Sequence, residues 1–187
     1  MVTLVEKAKA GNSISMEQLV DLFHQDIFRM VYYRTRSKMD AEDLTQEIFI
    51  KMFKSLRRLN DARKFRAWLY RIAVNCVRDF HRKKNMLTFF GTISNLEESI
   101  PNDQNPNNPI FTLMRKEFLN RLHEFTKALP RWEREVFLLR FVDDLGIREI
   151  ADVLNKNDST IKTHLYRALK KMRQNLTLRK LLTGEES

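Results

Sequence analysis

The chain has 187 residues, 43% of them apolar, which is enough for two small domains with cores of their own. Its formal charge of +10 favours a polyanionic partner and carries no information about the fold. A single cysteine, Cys76, excludes an intrachain disulfide, and we expect it to be buried in a core. The four histidines are scattered, so neither a metal site nor a cofactor is expected.

No stretch of the sequence has the character of a targeting or membrane segment. The N-terminal residues lack an apolar run of the signal-peptide kind, and the apolar run at residues 136–139 ends at Arg140, far short of the ~20 residues of a spanning helix. We therefore expect a cytoplasmic protein with no membrane contact of its own.

Charge and composition divide the chain into three segments. Residues 1–84 have a net charge of +8, residues 85–109 of −3 and residues 110–187 of +5. Three prolines and four asparagines between residues 100 and 109 exclude a continuous helix there. Glycine is scarce, and apolar residues elsewhere recur with a helical period. The prediction is an all-α protein in which two small helical domains, 1–84 and 110–187, are joined by a flexible acidic linker, 85–109.

The first domain is predicted to hold three helices, the first beginning near Met16 and the second capped by Asp40. One side of the second helix is apolar and is predicted to be buried. Its members are Leu44, Ile48, Phe49, Met52, Phe53 and Leu56. The opposite face is acidic near the helix N-terminus, where the helix dipole favours negative charge. From the residues alone this acidic face, formed by Glu42, Asp43, Gln46 and Glu47, is typical of a solvated surface.

The third helix is predicted from about Phe65 to Lys84 and has two contrasting sides. The apolar side comprises Phe65, Trp68, Leu69, Ile72, Ala73, Cys76, Val77 and Phe80. The other side is a basic stripe made of Arg71, Asn75, Arg78 and Arg82. Guanidinium groups around one amide suit phosphate contacts and a single base-edge contact, although a merely solvated face is the alternative. Just before the helix, a basic loop from Asn60 to Arg66 that includes Arg63 and Lys64 is of the kind that can hold an unstacked base.

The second domain contains the spacing of a helix-turn-helix. Residues 147–154 form a predicted short helix, residues 155–158 a turn and residues 159–169 a second helix. We expect Asn155 to end the first helix in a left-handed conformation, and Asp158 or Ser159 to cap the second. Ile150, Leu154, Ile161, Leu165 and Leu169 are predicted to fill the angle between the helices. Donors suited to phosphates and purine edges are predicted on the outside of the second helix: Ser159, Thr160, Lys162, Thr163, His164, Arg167 and Lys170.

With these motifs in sequence order, the chain resembles the sigma-70 family of RNA polymerase sigma factors, specifically the extracytoplasmic-function group. Residues 40–47 resemble the helix that holds the polymerase clamp, residues 65–75 the −10 reading helix, and residues 129–173 the −35 domain. The resemblance assigns Asp40 and the acidic face to polymerase core binding. It assigns the basic loop and basic stripe to the opened −10 strand, and the second helix of the helix-turn-helix to the −35 major groove.

The resemblance also implies partners. They are the core polymerase, through its beta-prime clamp and beta flap, promoter DNA, and an anti-sigma factor that can hold the protein near the membrane. By position and charge, the linker resembles the acidic connector that passes toward the RNA exit path. One departure concerns Trp68, which stands without a second aromatic beside it. This disfavours a tryptophan wedge and favours base capture by the loop before Phe65.

Two other classes of function agree less well with the sequence. A stand-alone helix-turn-helix regulator would need a sensor domain, and residues 1–84 lack the alternating strands of a receiver. An enzyme is not expected, because the sequence has no Gly-rich phosphate loop, no paired metal carboxylates with a nearby histidine and no Ser/His/Asp set.

Overall fold

The structure, a computed structural model, describes residues 1–89 and 109–175, and it divides broadly at residue 100 into two compact units. Both units are helical, and no strand occurs in the described ranges, which confirms the all-α prediction with two helical domains. Most of the predicted linker lies outside the described residues, and the domain limits at 84 and 109 stay predictions. No helix in the described ranges is long and apolar enough to span a bilayer.

The first unit is a bundle in which α2, α3 and α4 pack against one another, with α1 alongside α2. Its elements are α1 (Val2–Lys9), α2 (Ser13–Thr35), α3 (Lys38–Ser55), 3-10 turns at Leu56–Arg58 and Ala62–Lys64, and α4 (Phe65–Phe89). Leu19, Ile27, Ile48 and Leu69 are among its fully buried side chains. Each such side chain contributes roughly 1.5–3 kcal/mol through removal of apolar surface from water.

The helix starts in the first unit differ from the sequence prediction because the capping side chains lie earlier in the chain. The Asn12 side chain accepts a hydrogen bond from the Ser15 backbone N–H at 2.8 Å, so α2 begins at Ser13 and not near Met16. The prediction that Asp40 caps α3 is wrong. Ser37 is extended and its Oγ accepts from the Asp40 N–H at 3.2 Å, so Asp40 lies within the first turn.

The apolar stripes are largely confirmed, with one error. Phe65, Leu69 and Cys76 are buried in α4, whereas Trp68, Ile72 and Phe80 lie half-buried at the margin of the stripe. Phe53 of α3 was predicted to be in the core but is 39% exposed, because it lies at the edge of the apolar arc, beside the outward face. Helix α4 continues to Phe89, past the predicted end at Lys84, since neither Gly nor Pro interrupts residues 84–89.

The second unit consists of α5 (Pro109–Ala128), α6 (Arg131–Phe141), α7 (Ile147–Leu154) and α8 (Asp158–Gln174), with α6 packed against α5 and α8. Phe125, Leu129, Phe137 and Ala168 form a buried cluster. The Arg134 guanidinium donates to the carbonyls of Thr126, Lys127 and Leu129 and so satisfies the end of α5. Buried Glu133 accepts from Lys171 Nζ at 2.7 Å, which ties α6 to α8.

The helix-turn-helix is present with the predicted spacing. Helix α7 has the predicted bounds, and Asn155 ends it in the left-handed conformation with φ 52°, as expected. The predicted cap of α8 is wrong, because the side chain of Asn157 accepts from the Thr160 N–H at 2.8 Å and Asp158 is already helical. Ile150, Leu154 and Ile161 are buried as predicted, and the other two predicted core leucines, Leu165 and Leu169, are half-buried.

Candidate nucleic-acid interface

The acidic face of α3 is exposed along its whole length. Glu42 lies 3.8 Å from Lys38 Nζ, and Glu47 lies 2.6 Å from Lys51 Nζ, so both acids have a cation on their own helix. Asp43 and Gln46 are exposed and have no ion-pair or hydrogen-bond partner among the described residues. Asp40 is different, since its carboxylate lies 3.7 Å from Lys84 of α4 and is only 24% exposed.

Three exposed apolar side chains line the same face of α3. Met39, Ile50 and Phe53 are 69%, 49% and 39% exposed. Their spacing relative to Asp43 is i−4, i+7 and i+10, which places all of them on one side of a helix with 3.6 residues per turn. The face therefore combines acids with apolar area, a composition typical of a surface that packs against another protein. The apolar part escaped the sequence analysis, although the same spacing could have revealed it.

Cys76 lies at the contact between α3 and α4. It is buried, as predicted, and its Sγ accepts a hydrogen bond from Lys51 Nζ at 3.3 Å. Burial raises the pKa of the thiol, and the Lys51 charge opposes part of that rise. Lys51 also binds Glu47, and this carboxylate raises the pKa of the lysine. The Lys51 side chain thus joins the acidic face to the helix that carries the basic stripe.

The basic stripe of α4 is exposed at all four predicted positions. The Asn75 Oδ1 accepts a long hydrogen bond of 3.4 Å from the Arg78 guanidinium. The amide N–H groups of Asn75 take no part in this bond. Arg82 forms an ion pair of 3.3 Å with Asp79 on the same helix. The stripe therefore presents guanidinium groups around one amide, the arrangement that the sequence predicted.

The basic loop predicted at residues 60–66 is partly helical, because Ala62–Lys64 form a 3-10 turn and Phe65 and Arg66 already belong to α4. The segment is ordered by its own side chains. The Asp61 carboxylate accepts the Arg63 backbone N–H and both Nε and Nη2 of its guanidinium, at 3.0 to 3.1 Å. These bonds lower the pKa of Asp61 and raise that of Arg63, so both groups stay charged. The Arg63 side chain is nevertheless 80% exposed. Arg66 lies over the Tyr70 ring, with 5.7 Å between its Cζ and the ring centroid.

Helix α8 has an exposed cationic face. Lys162, Arg167 and Lys170 are exposed, and none pairs with a carboxylate in the described part of the chain. The Thr163 hydroxyl donates to the Ser159 carbonyl at 2.9 Å, and the Ser159 hydroxyl donates to the Asn157 Oδ1 at 2.9 Å. Both hydroxyl protons are already used in hydrogen bonds within the helix N-terminus. The hydroxyl oxygens can still accept hydrogen bonds from a ligand.

His164 and Thr160 are less accessible than the sequence predicted. Both are half-buried, because they lie toward the side of α8 that packs on the rest of the unit. His164 Nδ1 is buried without a hydrogen-bond partner among the described residues. Burial lowers the pKa of His164, and the charges of Lys156 and Arg167 lower it further. The lowered pKa favours the uncharged ring at neutral pH.

Three residues around the helix-turn-helix were missed by the sequence analysis. Tyr166 is 66% exposed near the middle of the outward face of α8. Lys156 in the turn lies over the ring of Trp132, with 4.2 Å between Nζ and the ring centroid. No spacing rule links residues 132 and 156, so only the tertiary structure could bring them together.

The two helical units, one with a helix-turn-helix and an exposed cationic second helix, define a DNA-binding protein. Comparison with known families matches Sigma-70 region 2 to residues 19–86 and Sigma-70 region 4 to residues 119–172. The RNA polymerase sigma factor SigV of Bacillus subtilis is 31% identical over 163 residues, 82% of this chain and 86% of SigV. The chain therefore belongs to the sigma-70 family, in its extracytoplasmic-function group.

Other relatives agree with this assignment. The extracytoplasmic-function sigma factor BldN of Streptomyces coelicolor is 32% identical over 174 residues, which cover 91% of this chain and 63% of BldN. SigW of Bacillus subtilis, of the same group, is 28% identical over 92% of this chain and 94% of its own. Because both halves match sigma-70 regions, a stand-alone regulator is not favoured.

Solved structures share the fold at low sequence identity. The structure of CnrH in complex with the cytosolic domain of CnrY has a TM-score of 0.68 and 23% identity, over 99% of this chain and 98% of that one. The structure of the sigma factor RpoE with the anti-sigma factor NepR from Bartonella quintana has a TM-score of 0.67 and 18% identity, over 91% and 98%.

Proposed function

We propose that this chain directs a bacterial core RNA polymerase to promoters by binding the −10 element with its first unit and the −35 element with its second. The observation that carries the proposal is the placement of three chemically distinct exposed surfaces on the matched regions. They are an acidic and apolar face on α3, a basic stripe with one amide on α4, and a cationic face on α8. The chain acts by binding alone and is not an enzyme.

The face of α3 is the proposed contact with the beta-prime clamp of the polymerase. Asp43 and Gln46 have no partner within the described residues, and Ile50 and Phe53 expose apolar area beside them. Acids around apolar side chains suit a basic partner helix, since charge steers the encounter and apolar area supplies affinity. Glu42 and Glu47 contribute less, because each already has a lysine on its own helix. The beta flap is the proposed partner of the second unit.

The basic loop and the basic stripe are the proposed reader of the opened −10 strand. Asp61 holds the Arg63 guanidinium in a fixed position before any ligand arrives, which lowers the entropy lost on binding a base. Asn75 supplies a donor and an acceptor for a base edge, and the arginines around it supply phosphate contacts. Base capture by this loop, with no tryptophan wedge, is the proposed route to DNA opening.

The cationic face of α8 is the proposed −35 reader. Arg167 and Lys162 have donors suited to guanine edges in the major groove, and Lys170 suits a phosphate. We also propose a cytoplasmic location and an anti-sigma partner that can hold the protein near the membrane. RpoE, which shares this fold, is solved with its anti-sigma factor, and this supports the partner.

The proposal is tested by run-off transcription with purified core polymerase and duplex promoter fragments. Wild-type chain should start transcription at promoters that carry both elements, and Asp43→Lys should lose activity together with core affinity in a pull-down. Glu17→Lys, at an exposed acid of α2, is the matched charge control and should behave as wild type. Absence of promoter-dependent transcripts with a competent core polymerase would refute the proposed function.

A further inference from the structure

Lys156 is ordered by an aromatic ring. Its Nζ lies 4.2 Å from the centroid of the Trp132 ring, and Arg131 lies over the same indole with 5.1 Å from Cζ to the centroid. Trp132 is half-buried in the first turn of α6. A cation at this distance from an indole is held by the ring quadrupole.

Holding a lysine with a ring has a different consequence from holding it with a carboxylate. An ion pair orders the side chain but cancels its charge, whereas an aromatic ring orders it and leaves the charge in place. Neither Lys156 nor Arg131 has a carboxylate within ion-pair distance in the described ranges. Glu133, the acid that follows Trp132, is occupied by Lys171 at 2.7 Å. The positive charge at Lys156 is therefore ordered and uncompensated.

The position of Lys156 in the turn is also fixed by the backbone. Asn155 before it is left-handed, the Lys156 N–H donates to the Ala151 carbonyl at 3.0 Å, and Asn157 after it caps α8. The turn of a helix-turn-helix adjoins the N-terminal end of the recognition helix, the end that enters the major groove between two phosphate backbones. A cation in this turn is thus close to the backbone at the edge of the groove.

We infer that Lys156 binds a DNA backbone phosphate beside the −35 element and that Trp132 is a positioning residue which holds the ammonium ready for it. The inference rests on the proposed −35 function of α8. It adds a contact outside the recognition helix that fixes register on the duplex and reads no base.

The test measures how the affinity of the full chain for a −35 duplex depends on salt, by fluorescence anisotropy. Lys156→Gln should weaken binding about fivefold at 0.15 M salt and reduce the slope of log K against log salt by about 0.9, the value of one phosphate contact. The loss should be equal for every −35 sequence. Trp132→Leu should weaken binding about two- to fivefold with the slope retained, because the charge remains but is no longer held.

The coupling between the two residues separates positioning from a general effect on folding. Trp132→Leu should cost no further affinity once Lys156→Gln is present, and Trp132→Phe should recover part of the loss, since its smaller ring still attracts the cation. Lys127→Gln on α5 is the matched charge control, with an unchanged affinity and slope expected. If Trp132→Leu does not fold, the Phe variant and Lys156→Gln still decide the matter.

Three outcomes overturn the inference while leaving the proposed function standing. They are an unchanged slope in Lys156→Gln, a loss that depends on the −35 sequence, and additive losses in the double variant. Failure of the proposed function would look different, because the wild-type chain would then show no preference among −35 sequences at any salt concentration.

Discussion

His164 illustrates how one side chain of a recognition helix can be coupled to the core beneath it. It lies on the inner side of α8, with a buried Nδ1 and the charges of Lys156 and Arg167 nearby. Burial is the main cause of its lowered pKa, the two cations add to it, and Glu133 opposes them. The neutral ring is therefore the form that fits the folded unit.

We predict that the second unit loses stability as the pH falls below about 6.5, the ordinary pKa of a histidine. Because the folded-state pKa is lower than the unfolded one, the unfolded state binds more protons between the two values. Stability from this source is complete above 6.5 and is lost as the pH falls through the folded pKa. Urea midpoints, followed by Trp132 fluorescence in a Trp68→Phe background, measure it. His164→Asn should remove this part of the pH dependence, and an identical profile in both proteins would contradict the assignment.

At the scale of elements, capping decides where the helices begin. Asn12, Ser37 and Asn157 each accept a backbone N–H in the first turn of α2, α3 and α8. Several cap-competent residues stand next to one another in the sequence, and only one of each group has the extended backbone that a cap requires. The backbone conformation at each helix start, which depends on how the helix packs in the folded unit, therefore decides which residue is the cap.

We predict that Asn157→Ala destabilises the second unit by about 0.5–2 kcal/mol, the usual cost of losing a side-chain cap. Asn157→Ser should be much less destabilising than Asn157→Ala, because serine caps a helix nearly as well as asparagine. Thermal or urea unfolding measures the change. If Ser159→Ala proved as costly as Asn157→Ala, the cap would be the residue that the sequence suggested, and the structural assignment would be wrong.

The basic loop and the basic stripe of α4 are the surface proposed to act in promoter opening. Asn75→Ala and Asp61→Asn should slow promoter opening more than they weaken closed binding, since an unstacked base gains contacts of ~1–3 kcal/mol only after opening. Asp61→Asn tests the ordering of Arg63, because the guanidinium would lose the carboxylate charge and one of its two acceptor oxygens but would keep its own charge. Permanganate reactivity of −10 thymines, alongside duplex binding, measures both steps.

Two controls accompany the opening assay: loss of an arginine outside the proposed DNA-binding surface, and a template whose −10 region is already melted. Arg29→Ala, at an exposed arginine of α2 paired with Asp26, should change neither step. Pre-melting the −10 region should partly rescue Asp61→Asn but should not restore sequence preference to Asn75→Ala. Equal losses in both assays would reduce this surface to ordinary phosphate binding.

At the scale of the whole molecule, the proposed contacts lie on two separate units. The contact with the polymerase clamp is assigned to α3 of the first unit and −35 binding to the exposed face of α8 in the second, so substitutions on these two surfaces should have separable effects. We predict that Arg167→Ala costs about 1–3 kcal/mol of −35 affinity in a sequence-dependent manner and leaves core affinity unchanged. Anisotropy with several −35 duplexes and a core pull-down measure this. A uniform loss over all sequences would make Arg167 a phosphate contact.

The sequence alone determined the class of fold and the order of the surfaces. Helical periodicity, scarce Gly and Pro and the charge of each segment were sufficient to predict two helical domains, because these signals are local and repeat every turn. The helix-turn-helix was predicted for the same reason, since helix, left-handed Asn155 and second helix follow within a few residues. The acidic face and basic stripe are likewise patterns within single helices.

Only the tertiary structure decided which residues far apart in the sequence are in contact. It brought Lys51 to Cys76, Lys84 to Asp40 and Lys156 to Trp132. Phe53 is exposed and His164 is half-buried, contrary to the sequence prediction. The reason is that packing between helices determines which edge of an apolar arc is covered. Periodicity defines a face but not the extent to which a neighbouring helix buries it, and so exposure, pKa and cap choice depended on the folded unit.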